Sequence, residues 1–169
     1  MKVFILNGQA ESGKNYFAEY TKDISHFRSQ HISTVDPIKE FLKKYGVKEK
    51  TNQSRVLMSN IKNLLDDYDD LTNKQAIEYT TDSINLDFIF IDCREPRNID
   101  YLKNELSEIY GRNNVKTILM IRPSHNITDC EKDDFEFVSN YNYDYVFECN
   151  NLEEIKICAD GFMKKENLI

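Results

Sequence analysis

Val3-Phe4-Ile5-Leu6-Asn7-Gly8-Gln9-Ala10-Glu11-Ser12-Gly13-Lys14-Asn15 is the stretch that decides the fold of this chain. Val3 to Leu6 reads as a short apolar strand and Gly8 to Asn15 as a glycine-framed loop. Phe17, Tyr20 and Ile24 then give the following helix one apolar face. Strand, glycine loop, lysine and helix, in that order, make a phosphate-binding loop, or P-loop. Gly8 lets the chain turn off the strand, and Gly13 lets backbone N–H groups close on phosphate oxygens with no side chain between. Lys14 adds a mobile positive charge at a helix N-terminus, where the helix dipole already favours an anion. Asn15 stands where Ser or Thr would ordinarily help hold Mg2+. A glycine turn with an incidental lysine is the bland alternative, and the context on both sides argues against it.

Working outward, strands and helices alternate. The reading predicts a first strand over Lys2–Asn7, a helix from Lys14 towards Ile24 and a second strand near His31–Val35. Asp36 before Pro37 reads as a carboxylate N-cap on a helix that ends at Gly46. Leu57, Ile61, Leu64, Leu65 and Tyr68 recur at helical spacing, and an acidic break at 66–70 precedes a helix over about Asn73–Ser83. Phe88–Ile91 is apolar on both faces, as a buried parallel strand should be. A helix carrying Ile99, Leu102, Leu106 and Ile109 follows, then a strand over Thr117–Ile121 that Arg122-Pro123 ends. The polar stretch from Ser124 to Asn142 reads as a surface excursion. A last strand, Tyr145–Phe147, leads to a helix with Leu152, Ile155, Ala159 and Phe162 on one stripe. The pattern predicts an α/β protein: a three-layer P-loop NTPase fold whose mostly parallel, five-stranded sheet is flanked by helices. Residues 1–169 read as one domain, without internal repeat or linker, and with a lid-like excursion over about 122–142.

Composition narrows the class. Charged residues at 30 % and apolar residues at 40 % fit a folded globular chain. No apolar run approaches the ~20 residues that span a bilayer, and no signal-peptide pattern is present, so a cytoplasmic protein without a membrane partner is expected. Cys93, Cys130, Cys149 and Cys158 form no C-x-x-C pair and read as reduced, core or incidental thiols. A net charge of −7 argues against a broad nucleic-acid surface. Ten tyrosines and ten phenylalanines, with no tryptophan, would fill a core or cover the face of a homodimer.

In open α/β sheets, ligands bind at the carboxyl ends of the strands. Those ends carry the phosphate loop, Asp36, Asp92 to Pro96, Arg122 and Glu148 to Asn151. Arg94 and Arg122 thus flank the loop in an acidic protein, which is the placement of phosphate ligands. Structural pairing is the competing reading, Arg94 with Glu95 or Asp92 and Arg122 with an acid of the excursion. Asp92 is open between a carboxylate that holds metal through water and a plain strand-end cap.

G-Q-A-E-S-G-K-N with Tyr16-Phe17-Ala18-Glu19, I-D-C-R-E-P-R-N-I-D (Ile91–Asp100), and N-Y-N-Y-D-Y-V-F-E-C-N-N-L-E-E-I (Asn140–Ile155) resemble the phage-type deoxynucleoside monophosphate kinases and their bacterial relatives. S-T-V-D-P-I-K-E and S-R-V-L-M-S-N-I-K are similar to a Firmicutes branch described as nucleoside or nucleotide kinase-like. The resemblance implies that Gly8, Ser12, Gly13 and Lys14 hold the β- and γ-phosphates of ATP, with Arg94 on the transferring or acceptor phosphate. It implies further that Arg122 belongs to a lid over the donor, and that Asn150, within Glu148–Asn151, lies near the adenine. Arg55 would reach the acceptor monophosphate, and Asp36 with Lys39 would border its pocket. Arg55 also reads as a solvated helix residue, Asp36 as a plain cap and Lys39 as an exposed helix lysine.

Two departures matter. The relatives commonly read Gly-Lys-Asp-Thr where this chain reads Gly13-Lys14-Asn15-Tyr16, losing an acid and a hydroxyl. Asn15 can offer only an amide oxygen to Mg2+, so Asp92 becomes the charged metal candidate. The excursion has Lys132 as its only basic residue among several acids. The expected function is ATP- and Mg2+-dependent phosphoryl transfer to a small phosphorylated acceptor, foremost a (deoxy)nucleoside monophosphate. Its rivals are a non-catalytic nucleotide-binding module, which Asn15 and Tyr16 favour, and a kinase of another phosphorylated metabolite. Arg55, Arg94 and Arg122 tip the balance towards catalysis.

Overall fold

A computed structural model of the chain describes residues 1–9, 11–48, 51–83, 85–124 and 139–169. Strand β1 (Lys2–Gly8) lies at the centre of a sheet and pairs in parallel with β3 (Phe88–Asp92) on one side and β4 (Val115–Ile121) on the other. The edges are β2 (Ser29–Ser33), against β3, and β5 (Tyr145–Glu148), against β4. All five strands are parallel, in the order β2-β3-β1-β4-β5. The described helices are α1 (Lys14–Ile24), α2 (Asp36–Lys44), α3 (Asn52–Asp69), α4 (Leu71–Asp82), α5 (Pro96–Tyr110) and α6 (Leu152–Lys165). No described helix is long and apolar enough to cross a membrane.

Strand alternation builds two core layers, one on each face of the sheet. Phe4 and Leu6, Phe88 and Phe90, and Ile118 and Met120 face α1 and α6, where they meet Phe17, Ile155 and Phe162. Phe4 and Phe162 pack edge to face with ring centroids 4.8 Å apart, so phenylalanine fills the volume that tryptophan could have taken. Val3, Ile5, Ile89 and Ile91 face the opposite way, onto Ile99, Leu102 and Leu106 of α5 and Ala76 of α4.

Several predicted details shift. The second strand runs two residues earlier than expected, because its pairing with Phe88–Asp92 begins at Ser29. Asp36 is the first residue of α2 rather than its N-cap. The cap position is Val35, and the Asp36 carboxylate accepts from Ser33 N at 2.7 Å, upstream of the helix. The acidic run does not break a helix at its start: α3 continues to Asp69, and the turn comes at Asp70, whose φ is +49°. The largest difference is the orientation of α3. Leu57, Leu64 and Tyr68 are exposed, the last 82 % so, while Ser54, Lys62 and Asp66 face inward. Ile109 and Leu152, placed on apolar stripes, are likewise half exposed. Residues 125–138 of the lid-like excursion, with Lys132 and Cys130, lie outside the described residues.

Candidate functional site

Parallel register brings the strand ends to one edge. Leu6 lies beside Asp92, Gly8 beside Met120, and Ile121 beside Glu148. The Gly8–Asn15 loop, predicted from the sequence to bind phosphate and named the phosphate loop for that, grows from the central strand at that edge. Gly8 is required by the backbone packed against it and Gly13 by its own conformation. A Cβ on Gly8 would stand 2.3 Å from the Met120 carbonyl oxygen of β4, and one on Gly13 would stand 2.3 Å from Ile155 Cδ1 of α6. Gly13 also has φ +91°, a conformation that side-chain-bearing residues avoid. The loop is therefore clasped between β4 below and α6 above.

Lys14 opens α1 and folds back over the loop, donating from Nζ to Gly8 O at 2.6 Å and Gln9 O at 3.0 Å. Burial lowers its pKa, the charge of Asp92 opposes that shift, and the nearby Arg94 charge adds to it. Lys14, Asp92 and Arg94 thus share one electrostatic neighbourhood. Ser12 is buried, and its Oγ has no hydrogen-bond partner among the described residues. Asn15 is exposed in the first turn of α1.

Arg94 and Arg122 are tied to the loop through their backbones. Asn7, the last side-chain-bearing residue of β1, donates from Nδ2 to Arg94 O at 2.8 Å and to Tyr143 Oη at 2.8 Å, while its Oδ1 accepts from Gly8 N. Gln9 Nε2 donates to Arg122 O at 2.9 Å. Arg122 Nε is buried without a hydrogen-bond partner among the described residues. Asn7 and Gln9, neither singled out in the sequence, hold the two arginine-bearing turns against the phosphate loop. Their signal was weak: one amide closing an apolar run and one opening a glycine loop.

Asp92 has an unforeseen neighbour. His31 of β2 brings Nε2 to 3.0 Å from Asp92 Oδ1, an ion-pair contact off the axis of a well-directed hydrogen bond. Burial pulls the His31 pKa down, but the Asp92 carboxylate more than offsets it and the net shift is upward. Among the described residues no three His, Cys, Asp or Glu side chains form a metal cage. What is present suits Mg2+, which takes one or two carboxylates and completes its shell with water and phosphate. Asp92 could offer the carboxylate, whose Oδ1 lacks a hydrogen bond among the described residues although His31 stands 3.0 Å from it, and Asn15 could offer a neutral oxygen.

The remaining candidates lie on other turns and helices. Lys39 Nζ lies 2.7 Å from Asp36 Oδ1, so these two pair with each other at the start of α2. Arg55 is exposed in the first turn of α3. Asn150 accepts from Ser124 N at 2.9 Å, joining the turns after β4 and β5. Unpredicted again is the buried cluster beneath Arg94. Lys62 Nζ sits 2.7 Å from Asp66 Oδ2 and 2.8 Å from Glu95 Oε2, and Asp66 also accepts from Thr72 and from Asn98 Nδ2. Glu95 immediately follows Arg94, so this cluster anchors the arginine's turn to α3.

These features define a P-loop kinase fold. A sugar kinase from Janibacter sp. HTCC2649 is similar with a TM-score of 0.55 and 11 % identity over 99 % of this chain and 95 % of that one. Thymidylate kinase from Candida albicans is similar with a TM-score of 0.53 and 11 % identity over 98 % and 92 %. A scan against protein-family models finds no match. A search of curated proteins finds no match either. At such identity the likeness is one of fold.

Proposed function

We propose that this chain transfers the terminal phosphoryl group of ATP to a small phosphorylated acceptor, foremost a (deoxy)nucleoside monophosphate. One observation carries the reading: Lys14, Arg94 and Arg122 stand around one glycine loop at the carboxyl edge of the sheet, with Ser12 Oγ and Arg122 Nε buried there without hydrogen-bond partners among the described residues. Buried donors without partners are costly unless a ligand satisfies them, and phosphate oxygens are the acceptors that suit guanidinium, ammonium and hydroxyl together.

In the reaction, an oxygen of the acceptor phosphate attacks the γ-phosphorus while ADP departs in line. Little covalent work falls to the protein; alignment and charge stabilisation dominate. The loop amides, Ser12 and Lys14 would hold the β- and γ-phosphates, and Arg94 and Arg122 would offset charge on the transferring group. Mg2+, when bound, neutralises phosphate charge, and Asp92 with Asn15 would hold it. Asn150 would border the adenine. Asp36, Lys39 and Arg55 would serve the acceptor. An apolar groove of about 580 Å³ between α2, α3 and α4, lined by Pro37, Ile38, Phe41, Ile61, Leu65 and Leu71, adjoins the Asp36–Lys39 pair and has room for a base. The narrower resemblance to phage-type deoxynucleotide kinases, and cytoplasmic placement, belong to the same proposal.

A second reading, nucleotide binding without turnover, is favoured by Asn15 in place of a hydroxyl and by the His31 contact on Asp92. The deciding experiment is ADP release from ATP and Mg2+ across a panel of ribo- and deoxynucleoside monophosphates and sugar phosphates, with Lys14→Ala as the blank. Lys14-dependent turnover on one acceptor class establishes the kinase and names its substrate. ATP binding with silence across the panel moves the function to the binding module.

A further inference from the structure

Two cysteines lie outside this chemistry and next to each other. Cys149 follows β5; it is buried, and its amide donates to Ile121 O at 2.9 Å. Cys158 lies in α6, half-buried. Their Sγ atoms are 3.4 Å apart, and a disulfide would shorten that separation to about 2.05 Å. The connection between them, residues 150–157, contains the Asn151 cap of α6, whose Oδ1 accepts from Glu154 N at 3.0 Å. It also contains Ile155, one helical turn before Cys158 and on the same face. Ile155 is the side chain that stands over Gly13 and leaves no room there for a Cβ. One face of α6 thus touches Cys149 and the phosphate loop together.

We infer that Cys149 and Cys158 form a reversible disulfide that acts as an oxidative switch on the phosphate loop. The oxidant is a hydroperoxide. The Cys158 thiolate attacks its terminal oxygen, the O–O bond breaks, and an alcohol or water leaves once protonated, giving a sulfenic acid on Cys158. Cys149 sulfur then attacks Cys158 sulfur, the S–O bond breaks, and water departs with the Cys149 proton. Two thiols are oxidised by two electrons in total, and one hydroperoxide is reduced. The order of events follows from exposure. Burial, with Cys158 adding to it, pushes the Cys149 thiol up to about 12, so it is the resolving partner rather than the first target. Closing the S–S bond draws the first turns of α6 towards β5 and shifts Ile155 against Gly13. A small dithiol reverses the change by exchange.

The effect on ATP rests on the phosphate-binding reading; formation of the bond does not. The test uses the full chain carrying Cys130→Ser, treated with hydrogen peroxide. Readouts are disulfide mapping by mass spectrometry, calorimetric ATP affinity, and amide exchange over residues 8–15. The expected result is a 149–158 cross-link within one chain, ATP affinity weakened by about fivefold or more, altered exchange in the loop, and full reversal by dithiothreitol. Cys158→Ser should abolish all of these while keeping the affinity of the reduced protein. Over-oxidation without a cross-link, a cross-link between chains, or a 149–158 bond that leaves loop exchange unchanged would each overturn the switch. Altered loop exchange in a chain that binds no ATP even when reduced would keep the switch and remove the phosphate reading.

Discussion

Removing the Asp66 carboxylate should be among the most damaging single changes available to this fold. Lys62 and Asp66 are both nearly fully buried, whereas Glu95 is 36 % exposed at its side chain. Asp66→Ala leaves the Lys62 ammonium with only the half-hydrated Glu95, strands Thr72 N and Thr72 Oγ1, and leaves Asn98 Nδ2 with only its longer 3.4 Å bond to Glu95. Breaking a buried pair in this way costs about 4 kcal/mol, which for a chain of this length lowers Tm by roughly 12 °C. Lys62→Met should cost less, about 2 kcal/mol, because Asp66 keeps its three donors and Glu95 can hydrate. Urea unfolding followed by circular dichroism measures both, with the m-value expected to stay constant. The reasoning also fixes a pH dependence. Burial alone would raise the Asp66 pKa, but hydrogen bonds from Lys62 and Thr72 more than offset it and the net shift is down. A depressed carboxyl contributes stability above its unfolded value and loses it as pH falls through the folded one. Wild-type stability should therefore drop below about pH 4, and Asp66→Asn should flatten that acid limb. A cost under about 1 kcal/mol for Asp66→Ala, or a larger loss for Lys62→Met, would refute the picture of a dry, paired cluster.

Three further outcomes follow from the site. Gly13→Ala should weaken ATP binding by about tenfold, measured by calorimetry, and adding Ile155→Ala should recover only part of the loss, since it removes the Cδ1 clash but not the strained φ. His31 titrates above its ordinary value because Asp92 outweighs burial, so its contribution to stability is complete below about pH 6.5 and is lost as pH rises through the folded value; His31→Gln should remove that decline from a stability–pH profile. Arg94→Ala should lower kcat by on the order of a hundredfold or more while ATP affinity changes little, and equal losses in both would assign Arg94 to ground-state binding.

The central strands β1 and β3 were legible because each carries its own signal, which the polar edge strand β2 lacks. Val3–Leu6 and Phe88–Ile91 are apolar on both faces, and only a central strand of a covered parallel sheet needs that. The glycine loop between β1 and α1 was legible because its spacing is local. Interactions that depend on distant partners were not. Lys62 looks like any helix lysine until Glu95 closes on it from 33 residues away. Helical periodicity grouped Leu57, Ile61, Leu64, Leu65 and Tyr68, but it cannot say how deeply a face is buried: Ile61 and Leu65 are half-buried along the groove, Leu57, Leu64 and Tyr68 are exposed, and the deepest residues of α3 are Ser54, Lys62 and Asp66. Asp36 was read from the residue pair alone, and the nearby Ser33 amide competed for its carboxylate. His31 escaped notice because its meaning lies in lateral strand pairing, which the order of residues along the chain does not encode.

The placement of β1 between β3 and β4 has a consequence for partly opened molecules. Either edge strand can peel away by giving up one neighbour, whereas releasing Val3 to Leu6, the part of β1 from which the loop grows, requires two ladders to break at once. The scaffold of the phosphate loop therefore belongs to the last cooperative unit to come apart. Fluctuations that expose an edge leave the strand beneath the glycine loop standing, so under stress the geometry of that loop should outlast the complete shape of the protein.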